Sequence, residues 1–66
     1  MQTKKYAVDL LTEDCIIPKH DTREVFVEWI ETDLYREDQL RVIGYFIDDG
    51  ESFDRWYDHD SVVTVL

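Results

Sequence analysis

The sequence predicts a mainly β fold, a small antiparallel sheet or open barrel of four to five strands with one short helix. The first observation is residues 41–57, where two runs of β-branched and aromatic residues flank Asp49-Gly50, a pattern typical of a tight hairpin. The second is that apolar and polar residues alternate over 5–12. The third is the largely apolar run 61–66, which fits a buried strand. Short strands at this spacing indicate a curled sheet.

The hairpin tip predicts the register of its two strands. With the Asp-Gly pair at the centre of a two-residue turn, Phe46 lies opposite Phe53 and Asp48 lies opposite Glu51. Both faces of the ribbon then carry apolar residues, which places it in the middle of the fold. Directly opposed carboxylates destabilise a sheet, and crowding raises their pKa values. We therefore expect stability to increase on mild acidification.

The central part of the chain allows two interpretations. Residues 23–31 are rich in Val, Phe and Trp, which favours a strand, although an acidic N-cap at Asp21 also fits a helix. Residues 32–39 have a helix-forming composition with Asp33 as a candidate N-cap, and we assign the short helix there. The alternative is an α+β fold, a three-stranded sheet with one helix over 22–39.

Length and composition indicate one small folded domain, residues 1–66. A chain of this size buries only ~60% of the surface that its unfolded form exposes, so its core is marginal and a homodimer is one way to add burial. Aromatic residues make up 14% of the chain and hydrophobic residues 44%, which argues against a disordered tail.

The charge balance limits the kinds of partner. Sixteen Asp and Glu stand against seven Lys and Arg, a formal net charge of −9. Binding to nucleic acid or anionic lipid needs Lys and Arg, so direct contact with either is excluded as the expected function. A strongly acidic domain instead favours a partner with a basic surface.

Catalytic and metal-binding patterns are missing from the sequence. Cys15 is the only cysteine, which rules out an internal disulfide and favours the cytoplasm, and its neighbour Asp14 disfavours the thiolate. The acidic residues of 48–51 lack the spacing of a calcium loop, and 58–60 with His20 shows no recognised ligand pattern. The N-terminus has no apolar region of a signal peptide, and no membrane span is expected. We expect no enzyme activity, no catalytic residue, no metal and no cofactor.

The excess of carboxylates is the functional signal of this sequence. Residues 48–60 contain six of them against one base, Arg55. Trp56 and Tyr57 are neighbours on a strand and point to opposite faces, so one of the two is exposed as an interface anchor. The residues predicted to bind a partner are Asp48, Asp49, Glu51, Asp54, Trp56, Tyr57, Asp58 and Asp60.

In size, acidity and strand content the chain resembles the small proteins with which phages and prophages inhibit host DNA-binding enzymes by imitating DNA. It is similar in the same respects to acidic immunity proteins that block basic nucleases. The resemblance implies an inhibitor that occupies a basic nucleic-acid-binding cleft, and it transfers no residue roles. The alternative is a small β-barrel module that binds basic peptides through an aromatic groove of Trp29, Tyr45 and Trp56.

Overall fold

A computed structural model of the chain describes residues 2–66 as one open antiparallel sheet with almost no helix. The strands are β1 (Thr3–Tyr6), β2 (Cys15–Ile17), β3 (Val25–Asp33), β4 (Arg36–Phe46), β5 (Ser52–Asp58) and β6 (Val62–Val65). Their order across the sheet is β1-β6-β2-β3-β4-β5, and every neighbouring pair is antiparallel. The mainly β class is confirmed, with six strands instead of four or five.

The helix expected over 32–39 is wrong, because these residues end β3, turn and begin β4. The carboxylate of Asp33 accepts a hydrogen bond from the backbone N–H of Tyr35 at 2.8 Å. An Asp makes the same local bond at a helix N-cap and at a turn, so the residue type did not distinguish the two. The alternative helix over 22–39 is also wrong, because β3 pairs with β4 along its length.

The first strand is shorter than the predicted 5–12. It ends at Tyr6, and a 3₁₀ turn over Ala7–Asp9 follows. Hydrogen bonds to residues after β5 stabilise this turn. The N–H of Ala7 donates to the carbonyl of Ser61 at 2.8 Å, and the N–H of Val8 donates to the carbonyl of His59 at 3.1 Å. These hydrogen bonds to a distant part of the chain therefore explain why β1 ends at Tyr6.

The core lies on the inner face of the sheet. The prediction of a strand over 23–31 is confirmed, with Val25 and Val27 fully buried. The alternation of inward and outward side chains along β3 is interrupted, because its pairing with β4 shifts by one residue between Val27 and Trp29. A one-residue bulge reverses the faces that follow it. Trp29 therefore lies on the outer face, whereas Ile30 packs against the core.

The predicted hairpin is confirmed, with a register two residues away from the expected one. Gly44 lies opposite Phe53, and Phe46 lies opposite Glu51. The N–H of Phe46 donates to the carbonyl of Glu51 at 2.8 Å. The loop thus has four residues, ending at Gly50 with φ of +74°. A shift of two leaves every side chain on the same face. It also removes the predicted opposition of Asp48 and Glu51.

The two ends of the sheet come close together. Strand β5 is last in the sheet order and β6 is second, yet only residues 59–61 connect them. The sheet must therefore curl, and the hydrogen bonds of the 3₁₀ turn to 59–61 bridge the gap at one end. No strand pairing joins β5 to β1 or β6 within residues 2–66, so a seam stays open between them.

Candidate functional site

The six carboxylates predicted to act together lie in three separate places. Those of 48–51 are in the loop between β4 and β5, Asp54 is in the middle of β5, and those of 58–60 are at the other end of that strand. A seven-residue strand spans roughly 20 Å. The sequence cluster is therefore not one surface, and the partners of each part decide what it can do.

The loop carboxylates are arranged around Arg23. Its Nη1 lies 3.6 Å from Oδ2 of Asp49 and 3.7 Å from Oε2 of Glu51. A hydrogen bond to Asp21 raises the pKa of the Arg23 guanidinium, and the charges of Asp48 and Asp49 add to that effect. Opposite charges this close neutralise much of the field that would reach a partner.

Asp54 is the partner of Arg41 on the neighbouring strand. The guanidinium Nε donates to Oδ1 of Asp54 at 2.8 Å, while Nη2 contacts Oδ2, so the pair is bidentate. The same guanidinium has its Nη1 3.6 Å from a carboxylate oxygen of Glu31. The hydrogen bond from Arg41 lowers the pKa of Asp54. Asp54 therefore contributes to cross-strand pairing.

Three aromatic residues lie on the outer face of β3, β4 and β5. Trp29 of β3 lies opposite Ile43 of β4, and Tyr45 is two residues beyond Ile43 on β4. Trp56 is on β5. Trp29 is 58% exposed. The guanidinium of Arg36 covers the ring of Trp56 at 4.4 Å from the centroid. This outer aromatic face contains the three residues of the alternative hypothesis.

Tyr57 points the opposite way from Trp56, as two neighbours on a strand must. It lies opposite Leu40 and packs against the core. Its hydroxyl is buried and has no hydrogen-bond partner within residues 2–66. Burial raises the pKa of Tyr57, and the charge of Arg55 opposes that shift. Of the two predicted anchors, Trp56 is the one on the outer face.

The end of the molecule around the turn after β5 collects carboxylates from three parts of the chain. The N–H of His59 donates to the carbonyl of Asp38 at 2.9 Å, and the carbonyl of His59 accepts from Val8 at 3.1 Å. These bonds bring the start of β4 and the 3₁₀ turn alongside. The acidic end, as we name it, consists of Asp9, Glu37, Asp38, Asp58 and Asp60.

Carboxylates of the acidic end have no cationic partner. None lies within 4 Å of a Lys or Arg nitrogen in the described part of the chain. Asp58 accepts a hydrogen bond from the amide of Gln39 at 2.9 Å, which orients the carboxylate without neutralising it. The sequence carries no signal that Asp9 belongs here, because about fifty residues separate it from Asp58 and Asp60.

Replacing Asp54 with Asn is expected to make stability fall less steeply in acid. The hydrogen bond from Arg41 lowers the pKa of Asp54. The pKa of Asp21 is also lowered, mainly by the hydrogen bond from the backbone N–H of Arg23. A carboxyl with a lowered folded pKa stabilises fully above its unfolded value of ~3.9, and the effect is lost as the pH falls through the folded value. This sign is opposite to that expected from crowding.

Melting temperatures between about pH 5 and pH 2 measure the effect of Asp54→Asn. Asp60→Asn is the matched control, because it removes an exposed carboxylate that forms no ion pair within residues 2–66. Equally steep acid limbs in the two variants would show that the Arg41 pair does not contribute to the acid dependence of folding.

Metal-ligating side chains do not gather in residues 2–66: no three of His, Cys, Asp and Glu are placed to hold a metal ion. The same residues include no helix of the length and apolar character that a membrane crossing requires. Comparison of the chain with protein-family models, with curated proteins and with solved structures finds no match. The function of this chain therefore has to be inferred from its own geometry and charge.

Proposed function

We propose that this chain is a non-enzymatic, cytoplasmic binding protein whose acidic end docks on a protein with a basic surface. The partner we infer is a nucleic-acid-binding enzyme, inhibited when the carboxylates occupy its cleft in place of DNA, as phage and prophage inhibitors do. The observation that supports this most is the absence of any Lys or Arg within 4 Å of the acidic end in residues 2–66. Charges without a partner keep their field and steer a basic protein.

The way the acidic end is built favours binding over simple solubility. Its three segments are tied by backbone hydrogen bonds of 2.8 to 3.1 Å among Ala7, Val8, Asp38, His59 and Ser61. A preorganised surface loses less conformational entropy on binding. Alternate residues of one strand are ~6.6 Å apart, a spacing too wide to match the charge density of a duplex, which carries one charge per ~1.7 Å of its axis. The acidic end instead takes its carboxylates from three adjoining segments of the chain.

The remaining predicted carboxylates have smaller parts in this proposal. Those of 48–51 surround Arg23, and Asp54 is paired with Arg41. A partner would have to compete with an existing cation for each of them. We therefore assign the steering charge to the acidic end and a supporting role to the loop.

The double substitution of Asp58 and Asp60 by Asn is expected to slow association with the partner about tenfold at low salt, the lower end of the range for electrostatic steering. Capture from a lysate followed by mass spectrometry identifies the partner, and stopped-flow mixing over increasing salt measures the rate. The rate for the unmodified protein should fall steeply as salt rises.

The matched control is the double substitution of Asp48 and Asp49 by Asn, which removes the same charge beside Arg23. It is expected to slow association much less. Association that does not respond to salt, or equal losses in the two double variants, would remove the acidic end from the mechanism.

The second candidate function is a module that binds a basic peptide on the outer aromatic face. It is supported by the placement of Trp29, Tyr45 and Trp56 on that one face, with Trp29 largely exposed. Under this function Trp29→Ala abolishes binding and the Asp58 and Asp60 amides are harmless. The proposed inhibitor gives the opposite ranking of the same variants.

A further inference from the structure

The open seam of the sheet contains a cleft of about 880 Å³. Strand β5 forms one side with Arg55 and Tyr57. The other side consists of Lys4 from β1, residues 62–64 of β6, and residues 19–21 after β2. It is a different surface from the acidic end and from the outer aromatic face.

The cleft is cationic although the chain as a whole is strongly acidic. Three of the seven Lys and Arg side chains form ion pairs within residues 2–66: Lys5, Arg23 and Arg41. Of the other four, Lys4, Lys19 and Arg55 all line the cleft. Its one carboxylate, Asp21, is already hydrogen-bonded to Arg23. Cations without partners therefore concentrate at a single place, which favours an anionic occupant.

Strand β5 offers this cleft an unused backbone edge. Its ladder to β4 alternates, and the bond of Phe46 to Glu51 sets the phase. By that alternation Arg55 bonds towards β4, whereas Asp54 and Trp56 direct their N–H and C=O groups to the open side. Because β5 is the last strand, those groups are free to pair with an added strand.

The walls of the cleft also suit a peptide. Ile17 and Val63 supply apolar surface, and Tyr57 lies beside them in the lining. The volume exceeds what one small anion fills. A long nucleic acid would extend beyond the cleft and meet the acidic remainder of the chain, whose net charge is −9, whereas a short segment contacts the cleft alone. Side chains of an extended peptide alternate between faces, so carboxylates at every second position share one face of the segment.

We propose that the cleft binds an extended segment of another protein in which acidic residues alternate with others. The segment pairs with the free edge of β5 as a seventh strand and places carboxylates against Lys4, Lys19 and Arg55. This mode of recognition takes affinity from main-chain hydrogen bonds and selectivity from alternate side chains. It is independent of the acidic end, so the Asp58 and Asp60 double amide variant keeps it.

A ten-residue peptide in which Glu alternates with Thr is the probe, and the protein is labelled for NMR. We expect shift changes around the cleft and slower hydrogen exchange at the amides of Asp54 and Trp56. The same peptide with Gln for Glu should bind at least about tenfold more weakly, since it loses several partly exposed charge pairs.

The variants Arg55→Gln and Arg36→Gln form a matched pair. Each removes one unpaired guanidinium that lies over an aromatic ring, but only Arg55 lines the cleft. We expect Arg55→Gln to weaken the Glu peptide two- to fivefold and Arg36→Gln to leave it unchanged. Equal effects of the two variants would overturn the proposal.

Three further results would also overturn it. They are the absence of shift changes at millimolar peptide, equal binding of the Glu and Gln peptides, and binding of inorganic tripolyphosphate without binding of the peptide. The last result would assign the cleft to a small anion. A fourth contrary result would be loss of peptide binding in the Asp58 and Asp60 double amide variant, because neither residue lines the cleft.

Discussion

Replacing Gly44 by Ala is expected to destabilise the protein severely. A Cβ at this position would lie 1.9 Å from the carbonyl oxygen of Phe26, 3.0 Å from its carbonyl carbon and 3.3 Å from Cα of Val27. All three atoms belong to the backbone of β3, so no change of rotamer relieves the clash. Overpacking usually costs ~1–3 kcal/mol, and separating two central strands puts this case at or above the upper limit.

Such a loss is large for a domain of this size. Stability of roughly 0.05–0.15 kcal/mol per residue amounts to only about 3–10 kcal/mol in 66 residues. A loss of ~3 kcal/mol lowers the melting temperature by at least about 12 °C. Circular dichroism during heating, and urea unfolding where a folded baseline remains, measure the effect of Gly44→Ala.

Gly50→Ala is the matched control for that substitution. A Cβ there meets nothing within 4 Å, but φ is +74°, a conformation that costs an L residue ~1–2 kcal/mol. Gly50→Ala should therefore be destabilised, and clearly less than Gly44→Ala. Similar losses in the two variants would show that β3 and β4 are not packed as closely as the distances indicate.

Replacing Ile16 by Ala is expected to cost ~2–5 kcal/mol, the range for removing a buried aliphatic side chain and leaving a cavity. Ile16 is fully buried in β2, where it lies opposite Val25 on one side and Val65 on the other. This strand of three residues is the only link in the sheet order between β6 and β3 within residues 2–66. The truncation should therefore weaken the connection between the two halves of the sheet.

Ile47→Ala supplies the comparison, since it removes the same atoms from a residue that is 47% exposed. Its cost should stay below about 1 kcal/mol. Urea midpoints of both variants at unchanged m-values give the two free energies. Equal losses would contradict the assignment of Ile16 to the core. Slower hydrogen exchange in β3 and β4 than in β1 and β6 of Ile16→Ala would locate the damage at β2.

The hairpin shows how far local sequence reasoning extends. Asp49-Gly50 between two β-rich runs predicts that a hairpin forms there, and it does. Turns of two and of four residues both use a Gly at positive φ, so the local sequence does not choose between them. The structure has the longer loop, with Glu51 paired to Phe46. The faces stayed correct only because the difference is two residues.

The central strands show where local reasoning fails. Composition favoured a helix over 32–39, but pairing of β3 with β4 stabilises the extended form. The bulge at Glu28 is equally hidden, since an alternating pattern contains no mark of an extra residue. That bulge moves Trp29 to the outer face, and with it one of the three residues of the outer aromatic face. Non-local pairing outweighs intrinsic propensity in such segments.

The sequence by itself determined the β class, the hairpin and the excess of negative charge. Only the tertiary structure decided which carboxylates keep that charge unpaired. Asp54 is matched by Arg41, thirteen residues away, and the loop carboxylates by Arg23, whereas Asp9 joins the distant 58–60 turn. The physical reason is that electrostatic interaction depends on separation in space, and the curled sheet brings together residues that the chain keeps far apart.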